Sequence, residues 1–243
     1  MRIIKVDAIN STNEFVRDFY RGDVDFEPVC VSAHTQTAGK GQRGAGWISN
    51  AGENLTFSIL HPEISLQVDE QFLLSATVSL AVTEALEAYE IPKLKVKWPN
   101  DIMSGNRKIC GILIENILKN DRIAASVIGV GLNVNQKEFP DLPQAGSLRM
   151  ATDTSFELDG LLKAILKTME KRLRALPALS KTEVLEEYAS SMFRRDQVST
   201  FQLPGGSYLT GIIRGVTTTG RLNLEVEDAV FRTFELKEIK LLF

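Results

Sequence analysis

The amino-acid sequence predicts an α+β fold that is followed by a small β-barrel. Apolar residues recur at helical spacing over residues 69–89, which predicts a long helix. Two β-branched runs at 108–118 and 122–134, joined by a short polar segment, have the lengths of an antiparallel hairpin. From Arg194 onward the chain changes to short apolar runs separated by glycine turns, which is typical of a small barrel. We therefore predict a larger domain at 1–192 and a β-barrel domain at 193–243.

The other elements follow from the same local patterns. Ser11 and Glu14 have the spacing of a capping box, which predicts a helix that starts at Thr12. The helices are predicted at 12–21, 157–176 and 182–192. The other strands of the larger domain are predicted at 3–6, 28–33, 54–60 and 94–98. The strands of the tail are predicted at 197–203, 208–216, 221–226 and 230–235.

Composition and charge narrow the class of protein. Hydrophobic residues make up 44% of the chain and charged residues 24%, which is ordinary for a globular protein. The net charge of −3 comes without a basic tail, so nothing global suggests nucleic acid as the main partner. Cys30 and Cys110 lie in apolar runs, which predicts buried thiols rather than a disulfide or a metal pair. No signal-peptide core and no membrane-spanning run is evident, so we expect a cytoplasmic protein without a membrane partner.

A glycine-rich loop at 36–47 is the most informative segment. It places four glycines, two cations and a tryptophan between two strand-like runs. Such a loop can form a nest of backbone N–H groups for an anion, with cations for phosphate and an indole face for stacking. Gly39, Gly41 and Gly44 also match the spacing of dinucleotide-binding folds, but no helix is predicted after them. We therefore reject a nicotinamide site and expect a loop that wraps an anionic nucleotide or an acyl-phosphate.

Four further segments carry polar residues in a distinctive order. They are Ser11-Thr12-Asn13, the segment 97–101 (KWPND), the segment 106–115 (NRKICGILIE) and the segment 129–135 (GVGLNVN). Together with the glycine-rich loop, and in this order, they resemble the biotin protein ligases. The resemblance covers most of residues 1–135, and the barrel-like tail also fits it.

The resemblance implies a fold and a two-step reaction. The fold is a mixed sheet backed by helices, akin to the core of class II aminoacyl-tRNA synthetases and of biotin and lipoate ligases. Biotin and ATP form biotinyl-5′-adenylate, and the biotinyl group then passes to a lysine of a biotin carboxyl carrier domain. Mg²⁺ is expected with ATP. A tightly bound metal is not expected, because His34 and His61 form no ligand cluster with the cysteines.

The resemblance also implies roles for individual residues. Those matched to the biotin site are Ser11, Thr12, Asn13, Gln36, Lys40, Gly41, Gln42, Lys108 and Gly111. Those matched to the adenylate site are Gly39, Arg43, Trp47, Asn100 and Asn133. The catalytic candidates are Lys108, Asp101 and Lys97. Plainer interpretations stay open: Ser11 as a helix cap, Trp47 as a core residue and Asn100-Asp101 as a turn.

The chain departs from the family pattern in two ways. Gln42 and Ala45 stand where the best-known relatives have basic residues, so we expect a faster loss of the adenylate. The segment Ser11-Thr12-Asn13 comes so early that no winged helix precedes it in this sequence, so we do not expect a DNA-binding repressor. The oligomeric state, monomer or homodimer, stays open.

Two other functions compete with the biotin protein ligase. A lipoate–protein ligase shares the core fold, but its usual loop carries a different arginine and triple-glycine signature. A non-catalytic adaptor that binds biotin or a carrier domain is the other alternative. Release of pyrophosphate distinguishes the adaptor from the biotin protein ligase, because the adaptor should release none with biotin and ATP.

Overall fold

A seven-stranded mixed sheet forms the larger part of the computed structural model, which describes residues 1–22, 26–62, 66–120 and 122–243. The strands are β1 (Arg2–Ile9), β2 (Val29–Gln36), β3 (Leu55–Pro62), β4 (Leu94–Lys97), β5 (Asp101–Ser104), β6 (Arg107–Lys119) and β7 (Arg122–Leu132). Their order is β1-β2-β3-β7-β6-β5-β4. Only β1 and β2 are parallel among the described pairs, so the predicted α+β class with a mixed sheet is confirmed.

Helices cover this sheet on both faces. They are α1 (Thr12–Arg17), α2 (Gln71–Glu87), α3 (Leu148–Thr152), α4 (Leu158–Ala175) and α5 (Lys181–Ser190). Alternate residues of the central strands separate the two faces. Phe57, Ile59 and Val130 pack into the main core with α2, whereas Leu60 and Val127 pack with α1 on the other face. The second face is therefore only partly covered, which leaves room for a site.

A five-stranded antiparallel sheet forms the C-terminal part. Its strands are β8 (Val198–Gln202), β9 (Tyr208–Val216), β10 (Leu222–Glu225), β11 (Phe231–Phe234) and β12 (Lys240–Leu242), in the order β11-β10-β9-β8-β12. The Trp98 indole N–H donates to the Gly220 carbonyl at 2.9 Å, and the Tyr188 hydroxyl donates to the Pro99 carbonyl at 2.9 Å. These bonds attach the second sheet and α5 to the segment that follows β4.

The first helix differs from its prediction. α1 ends at Arg17 rather than at residue 21, because the N–H groups of Asp18, Phe19 and Tyr20 each bond three residues back. The predicted capping bond of the Ser11 side chain is absent from the described structure. Gln36 takes its place, since its Oε1 accepts from the Thr12 N–H at 2.7 Å.

The remaining differences concern short elements. The sequence did not predict α3 or β12, which have five and three residues and too few apolar positions to show a period. The hairpin of β6 and β7 is confirmed, although Asp121 in its joint lies outside the described residues. Cys30 and Cys110 are free and buried, as predicted, and burial raises the pKa of the Cys30 thiol to about 12. In the described part of the chain, no helix combines the length and the apolar character needed to cross a membrane.

We expect His61 to make stability fall in acid. Burial lowers the pKa of His61, so between that value and about 6.5 the unfolded chain binds more protons than the folded protein. The free energy of unfolding should therefore decrease as the pH falls below about 6.5. In urea titrations between pH 7 and pH 5, His61→Gln should flatten this decrease. His34→Gln, at an exposed position, is the control, and equal slopes in both variants would contradict the assignment.

Candidate active site

A cavity of about 280 Å³ opens on the sheet face that α1 leaves uncovered. The N-terminus of α1, the glycine-rich loop and the turn after β4 surround it. The predicted residues that line it are Ser11, Thr12, Asn13, Gln36, Lys40, Gly41, Gln42, Trp47, Lys97, Asn100, Asp101, Lys108 and Gly111. The fold thus gathers the residues predicted for biotin and for catalysis from four segments that are separate in the sequence.

Of the other three predicted residues, two do not line this cavity, and the side chain of the third is not among those that the structure describes. Gly39 lines neither this cavity nor the next one, and its carbonyl accepts from the Trp47 N–H at 2.9 Å. The side chain of Arg43 is outside the described structure. Asn133 lines a second cavity of about 410 Å³, which shares Trp47 and Lys108 with the first. The two cavities therefore meet at the lysine.

A buried hydrogen-bond network forms the polar end of the first cavity. The Thr12 hydroxyl lies 3.0 Å from Gln36 Oε1 and 2.6 Å from the Ser58 hydroxyl. Ser58 donates to Asn13 Oδ1 at 2.5 Å, and the Asn13 amide donates to Glu115 at 2.8 Å. The network orders hydroxyl and amide groups at the cavity wall, which suits a neutral polar ligand group.

Ser58 does not line the cavity, but it supports two residues that do, and the sequence analysis missed it. It is fully buried in β3, where it joins Thr12 to Asn13. Thr56 and Ser58 alternate with the apolar Leu55, Phe57 and Ile59, so the period of two was the available signal.

Glycines of β6 and β7 form the floor of the cavity. Gly111 and Gly131 are direct partners across the two strands. A Cβ at Gly131 would lie 2.3 Å from the Trp47 ring, and one at Gly129 would lie 2.2 Å from Asn13 Oδ1. The indole and the amide therefore rest directly on the sheet backbone. Gly129 and Gly131 were also missed as individual site residues.

Asp101 holds the two catalytic lysine candidates. Its carboxylate lies 2.6 Å from Lys108 Nζ and 3.8 Å from Lys97 Nζ. Burial lowers the pKa of the Lys97 ammonium, which the Asp101 carboxylate opposes. The ring of Phe243, at the end of the second sheet, lies 5.3 Å from Lys97 Nζ. Two cations with one carboxylate leave a local excess of positive charge that favours an anion.

Two buried polar atoms at the second cavity lack hydrogen-bond partners within the described structure. They are Nε1 of Trp47 and Oδ1 of Asn133. The other amide atom of Asn133 donates to the Gly146 carbonyl at 2.9 Å, which fixes the side chain and leaves Oδ1 as a free acceptor. An aromatic face beside a free amide acceptor suits a flat heterocycle that carries an amino group.

The glycine-rich loop forms more internal hydrogen bonds than the predicted anion nest would allow. The Gly41 N–H donates to the Ala45 carbonyl at 2.7 Å, and Lys40 pairs with Gly46 as in a short ladder. Several of its N–H groups therefore serve the loop itself. Lys40 also forms an exposed ion pair with Glu14 at 2.5 Å.

Asn100 has a structural role beside any role toward a ligand. Its side-chain amide donates to the Ile112 carbonyl, and its backbone carbonyl accepts from the Ile112 N–H at 3.1 Å. These bonds fix the turn that carries Asp101. No cluster of three or more potential metal ligands exists among the described residues.

A family model described as the biotin/lipoate A/B protein ligase family matches residues 6–133. The bifunctional ligase/repressor BirA of Bacillus spizizenii is 33% identical over 240 residues, covering 96% of this chain and 72% of the relative. The biotin–acetyl-CoA-carboxylase ligase of Mycobacterium tuberculosis is 29% identical, covering 89% of this chain and 80% of its own. The structure of the biotin protein ligase from Aquifex aeolicus in complex with biotin and ATP superimposes with a TM-score of 0.80 at 27% identity, over 99% of this chain and 98% of the other.

Replacing Gly131 with alanine is expected to lift the Trp47 indole from the floor. The added Cβ would lie 2.3 Å from the ring, so the indole must move toward water. In a Trp98→Phe background, the emission of Trp47 should shift to longer wavelength. Gly46→Ala is the control, because a Cβ there meets, apart from its two chain neighbours, only the Gly39 carbonyl at 3.9 Å among the described residues. Identical emission in the two variants would refute the contact.

Proposed function

The chain belongs to the biotin/lipoate A/B protein ligase family, and from this premise we propose that it is an ATP-dependent biotin protein ligase. It activates biotin as biotinyl-5′-AMP and transfers the biotinyl group to a lysine of a biotin carboxyl carrier domain. The observation that carries the proposal is the lysine pair on Asp101, which lies between a cavity with hydroxyl and amide groups and a cavity with an aromatic face. The relatives named for this activity support it.

Biotin fits the first cavity by its chemistry. Its ureido ring is neutral and carries both donors and acceptors, as does the network of Thr12, Asn13 and Gln36. The glycine floor at Gly111 and Gly129 lets the Trp47 indole and the Asn13 amide lie close to the sheet backbone, which leaves depth above them for a bicyclic ring. With the ring there, the carboxylate of biotin extends toward Lys108.

The adenine of ATP fits the second cavity. Trp47 supplies an aromatic surface, and the free Oδ1 of Asn133 can accept from the 6-amino group. This arrangement brings the α-phosphate to the point where the two cavities meet. There, a carboxylate oxygen of biotin attacks the α-phosphorus, and the bond to the leaving pyrophosphate breaks.

Lys108 and Lys97 stabilise the negative charge of this step. Their ammonium groups are already held by Asp101, so little reorganisation is needed when the anions arrive. Among the described residues, Asp101 is the one carboxylate that lines the first cavity, and it already pairs with the two lysines. We therefore propose that Mg²⁺ enters with ATP, held mainly by phosphate oxygens and water.

The second step transfers the acyl group. The amine of the acceptor lysine attacks the acyl carbon of biotinyl-5′-AMP, the acyl–oxygen bond breaks, and AMP leaves. Because the mixed anhydride reacts with water, the glycine-rich loop over the cavity keeps water out until the acceptor arrives. We place these reactions in the cytoplasm.

Exchange of labelled pyrophosphate into ATP tests the activity. We expect exchange that depends on biotin, and a loss of about 10²- to 10³-fold in Lys108→Ala, because one preorganised charge donor is removed. Lys119→Ala, at the exposed end of the same strand, should retain exchange and is the control. Lipoate is run in parallel. Exchange with lipoate alone would assign the chain to the lipoate branch, and no exchange with either acid would favour the adaptor.

Retention of biotinyl-5′-AMP tests the effect of a glutamine, rather than a basic residue, at position 42. Gln42 lines the first cavity, and we propose that its lack of charge speeds the loss of biotinyl-5′-AMP. Gln42→Arg should keep more adenylate through gel filtration, because a cation near the phosphate strengthens the electrostatic attraction. Gln202→Arg, on β8, is the matched control. Equal retention in both variants would show that the charge at position 42 does not matter.

A further inference from the structure

A third cavity, of about 510 Å³, lies where the two sheets meet and shares no lining residue with the two cavities of the active site. We call it the basic cleft and define it by the four cations that line it, Lys93, Lys95, Arg194 and Arg195. The lysines belong to β4 and the turn before it, whereas the arginines follow α5 and precede β8. No step of the proposed reaction uses them.

The basic cleft is electrostatically unbalanced. The whole chain has a net charge of −3, yet Asp196 is the one carboxylate among the described lining residues. Asp196 is engaged by Arg214 at 2.6 Å and by Arg195 at 3.4 Å. Within the described structure, no carboxylate lies within ion-pair distance of the side chains of Lys93, Lys95 or Arg194. The cleft therefore favours an external anion.

The backbone around the basic cleft is also unusual. Lys93, Arg194 and Asp196 have φ angles of 52°, 58° and 58°, in the left-handed region that side chains rarely adopt. In addition, the buried Nε of Arg195 makes no hydrogen bond among the described residues, although the Asp196 carboxylate lies 3.4 Å from it in an ion pair. Three residues with strained backbone and one donor without a hydrogen bond thus lie around one group of cations.

The basic cleft borders the active site. Lys95 and Lys97 point to the same side of β4, about 7 Å apart, since side chains alternate and each residue advances the strand by about 3.3 Å. Residues 191–193 run along the outer edge of β4, where Val96 bonds to Ser191 at 2.9 Å and to Phe193 at 2.8 Å. The ring of Phe193 packs edge-on against Phe243, the residue that covers Lys97.

We propose that the basic cleft docks an acidic surface of the protein substrate. The inference rests on the proposed function, because only the second step requires a protein to approach Lys97 and Lys108. The cations come from two separate segments, and the cavity is much larger than a single phosphate. Several carboxylates that project from one folded domain can pair with them together, which places the target lysine of that domain beside the acyl group.

Measuring the two half-reactions separately distinguishes docking of the protein substrate from the chemistry at the active site. The probe is the biotin carboxyl carrier domain of a bacterial acetyl-CoA carboxylase, chosen with a negative net charge. In Lys93→Glu/Lys95→Glu, we expect the KM for this domain at low salt to rise about tenfold or more, and the difference to shrink as salt increases. Pyrophosphate exchange should be unchanged. Transfer to hydroxylamine, a small acceptor that forms biotinyl hydroxamate and releases AMP, should also be unchanged.

Lys163→Glu/Lys167→Glu is the matched control, with the same charge change on the exposed side of α4. An equal rise of the KM in both pairs, or no rise in the cleft pair, would overturn the proposal. A different result would assign a small-anion site instead and also overturn the proposal. In that case inorganic phosphate would inhibit transfer to the carrier domain in the wild type but not in the cleft pair, and poly-L-glutamate would not inhibit it. If the charge reversal prevents folding, Lys93→Gln/Lys95→Gln should raise the KM by a smaller factor. Absence of exchange in the wild type would refute the proposed function itself, which the other outcomes leave intact.

Discussion

Three glycines on the neighbouring strands β6 and β7 determine how closely a side chain or a ligand can approach the sheet. Gly111, Gly129 and Gly131 face the cavity, where Trp47 and Asn13 lie directly on the backbone. The residues that flank these glycines on β7 point the other way, since Ile128, Val130 and Leu132 are buried in the main core. A slip of β7 by one residue would place these large side chains in the cavity and the glycines in the core. The hydrophobic packing against α2 therefore also fixes the register of the active site.

Electrostatics at the junction of the cavities depends on this geometry. Asp101 is placed by a turn that Asn100 ties to β6, and from there its carboxylate reaches Lys108 on β6 and Lys97 on β4. Because one carboxylate serves two ammonium groups, the cluster remains positive and is completed only by an anion. The second sheet takes part through Phe243, whose ring covers Lys97. The charge that the proposed reaction uses is thus held by elements from both parts of the chain.

The parts that could be predicted from the sequence are those that depend on local patterns. The hairpin of β6 and β7 and the long helix α2 lie where they were predicted, although α2 is buried on nearly all sides and therefore has no distinct apolar stripe. Most of the motif residues that the resemblance named line the first cavity. Ser58 and Gly131 could not be assigned in this way, because their importance comes from Asn13 and Trp47, which are distant in sequence. The end of α1 was missed for a related reason: Phe19 and Tyr20 fit the helical pattern, but tighter turns replace the helix there. Local signals cannot decide between such nearly equal conformations.

The glycine-rich loop has to satisfy two opposite demands of the proposed reaction, closure over a labile anhydride and access for a protein amine. Its internal ladder between Lys40 and Gly46 and the close packing of Gly39 on Trp47 mean that much of its order exists without a ligand. Closing such a loop costs less entropy than ordering a free chain. Its outer attachment is the Lys40–Glu14 pair, whose side chains are about half exposed, and exposed ion pairs contribute little to stability. A preformed loop that is held by one weak ion pair can close over the site for the first step and move away as a rigid unit for the second.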